Sequence, residues 1–113
     1  MSLNRLSDKL VFNILSGINV GYLEITNYQG EVFKFGNPQD NLKTKLKIKK
    51  PNFSFNLIKG GSIGFAESYM RGEFETDNLS NLIEITARNI KIIYKFSGLL
   101  DFPIINFLKG IFI

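Results

Sequence analysis

The sequence predicts an α+β domain in which a small antiparallel sheet is packed against several helices, and three observations predict it. Apolar residues recur at spacings of three and four in residues 3–16 and again in 78–95, the period of a helix with one buried face. Between Tyr22 and Lys49 the period falls to two, and the runs are interrupted by turn-forming Asn, Gly and Pro. Helix-like and strand-like stretches occur together in one short chain without any repeat or linker between them, which gives an antiparallel sheet packed against several helices.

Each element follows in order. Leu3, Leu6, Leu10 and Ile14, with Val11 beside them, form the apolar stripe of a helix over 3–16, with Ser2 as its N-cap and Gly17 as its stop. Tyr22, Ile25, Val32, Phe33 and Phe35 lie in two short runs separated by Asn27-Tyr28-Gln29-Gly30, a hairpin. After Gly36-Asn37-Pro38 comes a half-buried strand, with Leu42, Leu46 and Ile48 on one face and Lys43, Lys45, Lys47 and Lys49 on the other. Pro51 opens a short helix over 52–59, Gly60-Gly61 ends it, and a second short helix covers 63–71. Extended residues around Phe74 lead to the longest helix, about 78–95, with Asp77 as its N-cap and Glu84 four residues before Arg88.

The chain has 113 residues, 44% of them hydrophobic and 21% charged, with a net charge of +4, which suits one domain over 1–113 with a sizeable core. It holds no cysteine, histidine or tryptophan, so disulfides, thiolate nucleophiles, imidazole bases and ordinary zinc sites are excluded. The first ten residues mix charges with leucines and do not form a signal peptide, so the expected compartment is cytoplasmic. Residues 99–113 are set apart: ten of the fifteen are Leu, Ile or Phe, and contiguous apolar surface usually marks a partner or a membrane.

Three clusters are candidates for chemistry. Gly60-Gly61-Ser62-Ile63-Gly64 opens a helix whose N–H groups could hold an anion, but it lacks the Lys-Ser/Thr of a phosphate loop and reads better as a helix-to-helix turn. Glu67, Glu73, Glu75 and Asp77 could supply paired carboxylates. Glu73 and Glu75 nevertheless alternate about Phe74 as solvent-facing residues, while Glu67 is expected half buried, with Arg71 or a backbone amide near Gly72 as its partner. The lysine ladder Lys43, Lys45, Lys47, Lys49 and Lys50 either guards an edge strand against unwanted pairing or meets anionic lipid headgroups. No aromatic interleaving of the single-strand-binding kind accompanies it, so nucleic acid is not the expected partner.

The run from Lys49-Lys50-Pro51-Asn52-Phe53 through Gly60-Gly61-Ser62-Ile63-Gly64-Phe65-Ala66-Glu67-Ser68-Tyr69-Met70-Arg71-Gly72 to Asp77-Asn78-Leu79 resembles the N-terminal region of cyclopropane-fatty-acyl-phospholipid synthases and related S-adenosylmethionine-dependent methyltransferases. Gly21-Tyr22-Leu23, Gly30 and Phe35-Gly36 extend the resemblance upstream, so that it covers residues 20–95. Arg71 stands where the family has an acidic residue, and Phe74 stands near its tryptophan. The resemblance implies a sterol-carrier-like α+β module that engages lipid and is not itself an enzyme, with no cofactor of its own. It would serve a methyltransferase acting on phospholipid acyl chains and would sit in the cytoplasm or at the inner face of the membrane. Gly60, Gly61, Gly64, Glu67, Tyr69 and Gly72 become motif positions of structural importance, the glycines for close packing and Glu67 with Tyr69 as a buried polar anchor. The alternative is an interaction subunit whose apolar segment 99–113 docks on a separate methyltransferase domain or on a second copy of the chain.

Overall fold

The computed structural model of the chain describes residues 3–97. Among the described residues, four helices and a four-stranded sheet form an α+β fold with the helices on one face of the sheet. The elements are α1 (Leu3–Leu15), β1 (Tyr22–Thr26), β2 (Val32–Gly36), β3 (Lys43–Ile48), α2 (Phe53–Met70), β4 (Phe74–Thr76), α3 (Leu79–Arg88) and α4 (Ile90–Ser97). The expectations placed on Ser2 and on residues 99–113 lie outside the described residues.

The hairpin forms where its turn residues predict it. Asn27 Oδ1 accepts from the N–H groups of Gln29 and Glu31, both at 2.9 Å, and Gly30 takes a positive φ of 88° that closes the turn. The sheet is mixed, in the order β2-β1-β3-β4, and not purely antiparallel as expected. β2 runs back along β1, and the loop over 37–42 then crosses the end of β1 so that β3 lies parallel to it on its other side. Asp40 holds this crossing: one carboxylate oxygen accepts from Gly21 N–H at 2.8 Å and the other from Leu42 N–H at 2.9 Å. Those two N–H groups, Leu42 foremost, lower the pKa of Asp40 below the ordinary aspartate value.

The inner face of the sheet supplies Leu23, Ile25, Phe35, Leu46, Ile48 and Phe74 to a core completed by Ile18, Phe53, Leu82 and Ile85. Phe12 of α1 stacks on Phe33 and Phe35 of β2, with ring centroids 4.7 and 5.7 Å apart, so α1 lies on the helical side. The stripe that α1 turns inward differs from the expected one. Ser7 and Val11 are buried and Phe12 and Leu15 pack against the core, whereas Leu3 and Leu6 are 59% and 47% exposed. Serine can take the buried place because its hydroxyl donates to Leu3 O at 2.8 Å and brings no unpaired polar group with it.

The helix expected over about 78–95 is two helices. The break falls at Asn89, which is 1% exposed and leaves helical geometry at φ −104°, ψ 16°. Its Oδ1 accepts from the N–H groups of Asn19 (2.9 Å) and Val20 (3.2 Å), and its Nδ2 donates to the carbonyls of Val20 (2.8 Å) and Ile85 (2.7 Å). One side chain thus satisfies the backbone of the α1–β1 connection and of the α3–α4 joint together. The cap of α3 is also displaced by one residue. Asn78 Oδ1 accepts from Asn81 N–H at 2.9 Å, while Asp77, the expected cap, accepts from the Thr44 hydroxyl (2.6 Å) and Lys45 N–H (2.8 Å) of β3. The Glu84–Arg88 pair forms as expected, at 2.8 Å.

Candidate functional site

The alternation in β3 turns Thr44, Leu46 and Ile48 inward and Lys43, Lys45 and Lys47 outward, and Lys49 continues the outward series. β3 is bonded on both sides, to β1 and to β4, so these lysines do not guard an edge. They stand instead in the middle of a sheet face that no described helix covers. Register places Lys34 and Lys45 on either side of Glu24, and Lys47 between Thr26 and Glu75. Lys45 lies 3.7 Å from Glu24, and Lys49 is ion-paired with Glu75. That contact lowers the pKa of Glu75. Lys43 donates to Pro38 O at 3.3 Å, and among the described residues neither Lys43 nor Lys47 is ion-paired with an acid. Lys50 lies in the turn that follows the strand. The face therefore carries five outward lysines, Lys34 being the one that the ladder in the sequence did not include, against Glu24 and Glu75. A shallow, open depression separates the hairpin tip, with its exposed Tyr28, from Lys47 and Lys49.

The glycine-rich positions divide by what their geometry requires. Gly61 sits at φ 56°, ψ −135° inside α2, where the helix breaks into the two segments expected from Gly60-Gly61. Beyond the break the second segment comes so close to the first that a Cβ on Gly64 would lie 2.4 Å from Asn56 O. Gly72 has a φ of 70° and ends the helix. Gly60 is helical, and a Cβ there would meet nothing within 4 Å. Gly64→Ala should therefore cost about 2–3 kcal/mol through forced backbone separation. Gly60→Ala should be neutral or stabilise by roughly 0.5–1 kcal/mol through helix propensity. Urea unfolding of the two variants checks this, and equal midpoints would remove the close-packing role given to Gly64.

Glu67 and Tyr69 are not a buried anchor. Tyr69 is 44% exposed, with its ring 5.6 Å from that of Phe74, and Glu67 is exposed. The anchor is Arg71 with Glu73: Nε of Arg71 lies 2.9 Å from the Glu73 carboxylate, and its Nη1 lies 3.3 Å from Glu67. Glu73, only 12% exposed at its side chain, also accepts from Asn56 Nδ2 at 3.4 Å. Its pKa is lowered by Arg71 first and the Ser68 hydroxyl second, so it is not the solvent-facing residue that its alternation with Glu75 suggested. Asp77 is held low by Lys45 N–H and the Thr44 hydroxyl. The four carboxylates are thus committed to three separate structural contacts instead of converging. Among the described residues no group of three or more acids, cysteines or histidines is placed to hold a metal.

The chain matches no protein-family model, no curated protein and no solved structure. Among the described residues no helix is long and apolar enough to cross a membrane.

Proposed function

We propose that the chain is a noncatalytic module that engages an anionic phospholipid surface through the open face of its sheet, and that it serves a methyltransferase acting on acyl chains in that membrane. The observation that carries the lipid half is the concentration of Lys34, Lys43, Lys45, Lys47 and Lys49 on one rigid, uncovered face, with only two glutamates among them. Each lysine near an anionic leaflet contributes about 1 kcal/mol, and the contribution decays within a Debye length of roughly 8 Å. Lys43 and Lys47 need break no ion pair to approach phosphate, so they should contribute most. Binding of this size is peripheral and salt-sensitive, in keeping with a protein at the cytoplasmic face of the membrane. Support for the methyltransferase half comes from the Pro51–Leu79 motif, whose glycines at 61, 64 and 72 occupy places that their geometry favours. A methyltransferase domain encoded beside this chain would strengthen that half.

Vesicle sedimentation tests the lipid half. The protein should pellet with vesicles containing phosphatidylglycerol, remain in solution with phosphatidylcholine alone, and be released by high salt. The double variant Lys43→Gln/Lys47→Gln should bind roughly 30-fold more weakly, the equivalent of about 2 kcal/mol from two lysines. Equal pelleting with charged and neutral vesicles, or unchanged binding by the double variant, would reject the electrostatic reading.

A further inference from the structure

At one end of the lysine face the sheet opens into a notch. The parallel register of β1 with β3 stops at Thr26 and Lys47, because the chain turns away at Asn27, while β3 runs on to Ile48 and Lys49 continues the outward series. Where the two backbones part, Lys47 and Lys49 stand on one side and Tyr28, Gln29 and Gly30 on the other, around a volume of about 540 Å³. Sites for small ligands take roughly 300–1,000 Å³, so there is room for one. The mouth is open, which suits a group presented from a surface better than a molecule enclosed on all sides.

The chemistry of the lining has one sign. It holds two lysines and no carboxylate. Glu75 stands opposite Lys47 in the β3–β4 register, but its ion pair is with Lys49, which leaves Lys47 unpaired with an acid among the described residues. Lys49 has three donors and needs one for Glu75. Two residues apart on a strand, the Cα atoms of Lys47 and Lys49 are separated by about 7 Å, so both ammonium groups can reach a single tetrahedral anion.

The hairpin tip adds a neutral donor. Asn27 takes the N–H groups of Gln29 and Glu31 on its side chain and that of Gly30 on its carbonyl. The N–H of Tyr28 is passed over, and among the described residues it has no hydrogen-bond partner. Tyr28 is itself 41% exposed, and an apolar ring with a hydroxyl at its end settles at the level of lipid headgroups.

We propose that this notch seats one phosphate group, carried on the headgroup of an anionic phospholipid, with Lys47 as its principal partner and Lys49 and the Tyr28 N–H as the others. The inference rests on the lipid-surface reading and deepens it: within a face that attracts any anionic leaflet, one place recognises a single headgroup. Lys43, four residues from Lys47 along β3 and so about 13 Å away, lies beyond a Debye length of roughly 8 Å and serves only the general attraction.

Amide NMR of the full chain, titrated with dihexanoylphosphatidylglycerol below its micelle concentration, tests the seat apart from the surface. The expected shifts saturate and centre on Tyr28, Gln29, Gly30 and Ile48, with those of Lys34 and Lys43 small. Lys47→Gln should weaken this binding roughly tenfold or more, as the loss of a hydrogen bond to a charged group does, and Lys43→Gln by less than about twofold. Unmoved signals of Ile25 and Leu46 in both variants separate loss of binding from loss of folding. Shifts that spread over the whole face without saturating, or equal weakening by the two substitutions, would overturn the seat and leave vesicle pelleting by the face intact. Inorganic phosphate that saturates the same amides more tightly than the lipid would make this a site for a free anion and overturn the headgroup. A protein that fails to pellet with phosphatidylglycerol vesicles would instead reject the lipid-surface reading, and the seat with it.

Discussion

Asn89→Ala is expected to destabilise the protein by roughly 4 kcal/mol, because the N–H groups of Asn19 and Val20 and the carbonyl of Val20 lose the partner that the buried Asn89 side chain supplies, at about 1–3 kcal/mol for each unsatisfied group that fails to relax, while Ile85 O keeps the Asn89 N–H. A domain of this size holds roughly 6–15 kcal/mol in all. At about 4–8 °C per kcal/mol, Tm should fall by something like 15–30 °C. Asn89→Asp separates hydrogen bonding from size. It retains the acceptor for Asn19 and Val20 but sets a carboxylate against the carbonyls of Val20 and Ile85, where a donor is required. The carboxyl pKa should then be raised in the folded state, so the penalty appears as pH rises above the unfolded value near about 3.9 and is relieved on acidification. Thermal melts at pH 4 and pH 7 read this directly. If Asn89→Ala melts within a few degrees of the parent, the side chain is not the joint described above.

Gly36→Ala should be the most damaging glycine substitution. A Cβ there would lie 2.1 Å from Gly21 O, and Gly36 has a φ of 88°. The obstructing atom cannot easily retreat, since Gly21 O accepts from Asn37 N–H at 3.1 Å and Gly21 N–H is held by Asp40. The backbone conformation costs about 1–2 kcal/mol for an L residue and the overlap about 1–3 more, for a total of roughly 3–4 kcal/mol. Gly30→Ala isolates the first contribution: it has the same φ of 88°, but nothing lies within 4 Å of its Cβ, so it should lose only about 1 kcal/mol. Urea midpoints that fall together for the two variants would mean that the crossing yields and that contact with Gly21 is not limiting.

Local rules carry as far as local causes do. The hairpin, the inward and outward alternation of β3 and the break at Gly60-Gly61 were legible because period, turn chemistry and glycine act within a few residues. The parallel pairing of β1 with β3 was not, since a strand with one buried face reads the same at the centre of a sheet as at its edge. Asn89 is an ordinary residue inside an apolar period that runs on to Ile93, and the groups that require it lie seventy residues earlier in the chain. Asp77 and Asn78 are equally good caps by type, and Thr44 on a neighbouring strand decides between them. In α1 the richer stripe misleads because a serine satisfied within its own helix can be buried. At the candidate site the ladder itself was legible, but the fifth outward lysine, Lys34, required the register of the hairpin, and the exchange of Glu67 and Tyr69 for Arg71 and Glu73 required the turn at Gly72.

The junction at Asn89 also gives the domain a front and a back. By tying the chain near Asn19 to the start of α4, it brings the first and last described helices together on the side of the sheet away from the lysines. A ligand that approaches the lysine face meets strand side chains and none from either of these two helices.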